Sequence, residues 1–89
     1  MPYIKPEDRA PLDPLIDELA GKLPPDALAG NLNYVISRLC ARLIEREKNY
    51  ARLNELIGAL ECAKLELYRR VAAPYEDGKV AENGDVYGS

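Results

Sequence analysis

This 89-residue sequence predicts an all-α fold, and three observations carry that prediction. Apolar residues recur at helical spacing in two long stretches. Helix start and stop signals punctuate the chain in order. The composition, 47% hydrophobic and 30% charged, fits a folded globular protein rather than a disordered one. There is no Trp and no Phe, so a core must come mainly from Leu, Ile, Val and Ala, with Tyr as the aromatic residue.

Residues 1–12 read as an N-terminal arm, in which Pro6 followed by Glu7 and Asp8 starts at most one helical turn. Asp13-Pro14 is the stronger start signal, with Asp at the N-cap and Pro at the first helical position. Leu15, Ile16, Leu19 and Leu23 then form one edge of a short helix, which Gly21 and Pro24-Pro25 end. Asp26 is the expected cap of the next helix. Its apolar positions are Leu28, Leu32, Val35, Ile36, Leu39 and Leu43.

From Glu45 to Asn49 every residue is charged or polar. The expectation is a tight turn, with Asn49 capping a third helix, because a hairpin lets two apolar stripes bury each other. The alternative is one continuous helix, since the two stripes are roughly in phase. The third helix presents Leu53, Leu56, Ile57, Leu60, Ala63, Leu67 and Val71 on one face, and Glu66 with Arg70 has ion-pair spacing. Pro74 ends or kinks that helix near Ala72, or begins a short new one with Glu76 and Asp77 in its first turn. Asn83-Gly84 is a stop signal. Residues 74–89 read as an acidic tail in which Tyr75, Val80, Val86 and Tyr87 are anchors that dock on a helix surface. The whole chain, 1–89, reads as one small helical domain.

Composition also excludes chemistry. With no histidine in the chain, Ser-His-Asp and Cys-His nucleophilic sites and His-ligated metals are ruled out. Cys40 and Cys62 are too far apart in sequence for a zinc pattern, and they read as packing thiols in a reducing cytoplasm. No signal peptide and no apolar run of membrane-spanning length is visible. No cofactor and no metal is expected.

The net charge of −3 is unevenly spread. Residues 1–30 and 71–89 are each acidic, and 31–70 is basic. Acidic ends folded over a basic middle, within the subunit or across an oligomer, account for this. An anion or nucleic-acid surface is the sharper alternative.

Three constellations stand out. Lys64 falls inside the apolar stripe, with Glu61 one turn before it and Tyr68 one turn after. A Lys there either snorkels at a rim, fixes helix register in an oligomer as half of a charge pair, or acts in catalysis. Glu61, Glu66, Glu76 and Asp77 are the carboxylates an all-α, metal-dependent nucleotide pyrophosphatase would need. However, the paired E-x-x-E and E-x-x-D helices of such enzymes are not present. Arg38, Arg42 and Arg46 form a row at i, i+4, i+8 that suits phosphates, although beside Glu45 and Glu47 it reads as a solvated face.

The segments NLNYVISRL (Asn31 to Leu39) and YARLNELIGALECAKLELYRRVAAPYEDGKVAENGDVY (Tyr50 to Tyr87) resemble a family of short uncharacterised prokaryotic and phage proteins, a domain of unknown function. LECAKLELYRR followed by PYED and ENGDVY carries the resemblance most specifically. It implies a small soluble cytoplasmic or phage-encoded protein and transfers no site residue.

The expectation is therefore a helical hairpin with a short N-terminal helix and a docked C-terminal tail, forming a four-helix bundle on dimerisation. Its function would be that of a non-enzymatic interaction or structural protein acting as a homo-oligomer, most simply a dimer, with no membrane partner. The alternatives are the carboxylate-metal enzyme and the anion or nucleic-acid module.

Overall fold

The computed structural model describes residues 2–88, and among them every regular element is helical. The chain divides into two units, Pro2–Leu56 and Ile57–Ser89.

The first unit opens with α1, Pro6–Arg9, a single turn. Pro6 supplies a helical φ where a missing N–H costs nothing, and Glu7 and Asp8 lie at the positive end. The Arg9 Nε–H donates to the Ile4 carbonyl at 2.7 Å, which folds the arm back on this turn. Helix α2 is Asp13–Lys22. Asp13 sits one place inside it, because Leu12 occupies the N-cap and makes no side-chain cap bond. Asp13 therefore acts through its charge near the helix start rather than as the expected cap. Leu23 is extended (φ −78°, ψ 118°), the conformation forced on a residue that precedes proline.

The expected Asp26 cap is also absent. Ala27 is the N-cap of α3, Leu28–Arg46, in a left-handed conformation with φ 57°. Its carbonyl accepts both the Asn31 backbone N–H (3.1 Å) and the Asn31 Nδ2 (2.9 Å). The helix entry is thus held by Asn31, one turn in, rather than by Asp26.

The polar turn is present, at 47–49, so one continuous helix does not form. Glu47 is extended and Asn49 caps α4, Tyr50–Leu67, its Oδ1 accepting the Arg52 N–H at 2.8 Å. The mutual burial expected of the two stripes is not observed within this unit. Leu28, Leu32, Ile36, Leu39 and Leu53 remain exposed, and Val35, Leu43, Ile44 and Leu56 are no more than half-covered. Among the described residues no side chain is buried.

In the second unit the helical path does not stop at Pro74. Helix α4 passes through a π turn, Tyr68–Ala72, into α5, Ala73–Asn83, and Leu67, Ala72 and Ala73 all keep right-handed helical dihedrals. Gly84, with φ 91°, then ends α5 and its N–H reaches the Val80 carbonyl at 2.8 Å. A positive φ is why the Asn83-Gly84 stop needs glycine. The anchors expected to dock the tail do not seat: Tyr75 and Val86 are exposed, and Tyr87 is 98% exposed. The acidic tail is mostly a helical extension rather than a docked strap.

Candidate functional site

Proline inside a helix lacks an N–H and its ring crowds the carbonyl four residues back, here Arg70. A π turn relieves the crowding by widening the helix by one residue, and the Ala73 N–H bonds to the Tyr68 carbonyl, five residues back. Such a turn changes the register of everything after it. In an unbroken α-helix, Tyr68 and Glu76 would stand about 80° apart around the axis. With one residue absorbed they stand about 20° apart. Ile57, Glu61, Lys64, Tyr68, Glu76 and Val80 thereby share one face of the second unit.

The polar groups of that row interact in sequence. The Lys64 Nζ lies 2.9 Å from Glu61 Oε1. The Glu76 carboxylate, first by hydrogen bonding and then by its charge, holds the Tyr68 phenol above its ordinary range, and the charge of Asp77 adds to the effect. Lys79, on the row's flank, lies 3.3 Å from Glu82 Oε2 and 5.5 Å from the Tyr75 ring centre. An open groove of 420 Å³ at the end of α5 is lined by Glu76, Lys79, Val80, Asn83 and Tyr87 among others.

The predicted cluster of Glu61, Lys64 and Tyr68 is therefore on one face, but Tyr68 engages Glu76 rather than Lys64. Lys64 is 69% exposed in this single chain, so the position expected to be partly buried is open to solvent. Glu66 is only 19% exposed and pairs with Arg69 at 2.6 Å. The four candidate carboxylates are not brought together: Glu61 and Glu66 are each tied to a basic neighbour, and only Glu76 and Asp77 act on a common group. Among the described residues no group of three or more acidic or Cys side chains is placed to hold a metal ion. Cys40 is half-covered and Cys62 exposed, both as free thiols.

The first unit holds the Arg38, Arg42 and Arg46 row on α3. Arg42 reaches Glu45 at 3.4 Å, a long surface pair worth at most a few tenths of a kcal/mol. The better-built polar group is one that sequence reasoning did not single out. Arg52 bridges Glu47 at 2.9 Å and Glu55 at 3.2 Å, and Asn49 Nδ2 donates to Glu47 at 3.1 Å. The Arg52 guanidinium, ahead of Asn49, holds the Glu47 carboxyl below its ordinary value. This cluster fastens the turn. The signal for it was an Arg at the third helical position after an Asn cap, with acids on both sides.

Among the described residues no helix is long and apolar enough to cross a membrane. The family described as "Domain of unknown function (DUF6899)" matches residues 1–86, which is nearly the whole chain. No curated protein and no solved structure matches it.

Proposed function

The chain belongs to that domain-of-unknown-function family, and we propose that it is a small helical interaction or structural protein that works as a homo-oligomer, most simply a dimer, without catalysing a reaction of its own. One observation supports this above the rest: among the described residues no side chain is buried, while Leu and Ile side chains line the faces of helices α2 to α4. Apolar faces of this extent leave a large hydrophobic free energy uncollected, at about 25 cal/mol per Å². A second copy offers the same faces in return, and a two-fold pair satisfies both with one set of contacts. Pairing also gives the acidic tail a basic surface to meet, since residues 31–70 carry eight basic against five acidic groups and 71–89 one against four.

Thermal unfolding followed by circular dichroism over a hundredfold range of protein concentration tests the proposal. Oligomerisation coupled to folding makes Tm rise with concentration by mass action. A Tm independent of concentration would count against it.

A further inference from the structure

The face made by the π turn has a property that α4 alone would not give it: it is self-complementary in an antiparallel sense. Consider two copies of the segment Ile57–Asn83 laid side by side in opposite directions, with the two-fold axis beside Arg70. Lys64 then meets Glu76 and Glu61 meets Lys79. The large Tyr68 meets the small Ala72. Both of these charged contacts are between opposite signs, and the large Tyr68 faces a small side chain, as interdigitating surfaces require. Arg69 and Arg70 lie well round the helix axis from this row, so they stay off the contact. Without the residue absorbed at Tyr68–Ala72, Glu76 would be rotated off the face and the match would be lost.

We infer that this face pairs with the same face of a second copy, antiparallel, and that two reciprocal Lys64–Glu76 ion pairs between chains set the register. The inference rests on the homo-oligomer reading above and names the surface. Lys64 and Glu76 are about 17 Å apart along one helix, too far to pair within a chain. Each already has a neighbour that leaves it capacity for a second contact. Lys64 spends one donor on Glu61 and keeps two, and a carboxylate such as Glu76 has two oxygens with which to accept. A Lys in the middle of an apolar stripe is the usual device by which helices trade some stability for a single register.

The test is charge reversal in the full chain, read by sedimentation velocity, with far-UV circular dichroism to confirm helicity. Lys64→Glu alone and Glu76→Lys alone each place like charges at both contacts of a symmetric pair, and each should weaken self-association at least about tenfold. Mixing the two variants in equal amounts places opposite charges at both contacts, so heterodimers should form within about threefold of the wild-type affinity. A variant damaged only in its own helix would not be rescued by mixing. If the wild type dimerises and the mixture associates no better than either variant, the register is wrong while the oligomer reading stands. If the wild type does not associate at all, both fall.

Discussion

The turn at Glu47–Asn49 and the helical path from Ile57 to Asn83 solve the same problem, how one helix follows another, in opposite ways. At the turn the backbone leaves the helix, and local side chains satisfy what is exposed: the Asn49 Oδ1 takes an orphan N–H, and Arg52 ties Glu47 and Glu55. At Pro74 the backbone stays helical and widens instead, so the surface pattern is shifted rather than interrupted. The first device is complete within a few residues. The second acts at a distance, because it decides which side chains from α4 and α5 face the same way.

The largest expected effect follows from removing the cause of the π turn. Pro74→Ala allows residues 68–72 to return to α geometry and rotates Glu76 away from Tyr68. Spectrophotometric titration should then show the phenol of Tyr68 ionising at a lower pH than in the wild type, with Tyr68→Phe identifying its contribution. Self-association should fall by at least about tenfold as the face is broken. An unchanged tyrosine titration would mean that the π turn does not depend on the proline.

Removal of the cap is next in size. Asn49→Ala should cost about 1 kcal/mol, measured by denaturant unfolding, and Asn49→Ser, which keeps a capping oxygen, should cost less. A loss below a few tenths would show that the Glu47–Arg52 bridge holds the turn unaided. Ala27→Gly should stabilise by up to about 1 kcal/mol, since a left-handed Ala is strained there and Gly is not, offset by the greater freedom of Gly when unfolded.

The smallest effects separate the two devices by pH. Glu47 has a depressed folded-state value, so its contribution is whole above the ordinary carboxylate range and is lost as pH falls through that depressed value. Tyr68 has a raised value, so the neutral phenol's contribution is whole below the ordinary tyrosine range and is lost as pH rises through the raised value. Glu47→Gln should flatten only the acid limb of a stability-pH profile, and Tyr68→Phe only the alkaline limb. Either substitution altering both limbs would mean the two devices are coupled.

The same contrast explains what was legible in the sequence. The helices, the turn with its Asn49 cap and the Gly84 stop follow from signals a few residues long, and they are present. Asp13 and Asp26 were misread as caps because several residues in a row can serve, and backbone geometry at Leu12 and Ala27 chose otherwise. The Tyr68–Glu76 relation was not legible, because the 100° rule that places residues on a face holds only while the helix is α throughout. A proline with helical pattern on both sides, and no Gly or Asn stop before it, was the available clue. Burial was the hardest to read: apolar spacing says which face seeks cover, but not whether the cover comes from the same chain.

Multi-angle light scattering on the intact protein at micromolar concentration addresses the homo-oligomer most directly. A mass of at least twice the 9.9 kDa chain, with helicity that falls on dilution, is the expected result. A 9.9 kDa species that keeps its full helicity on dilution would contradict it.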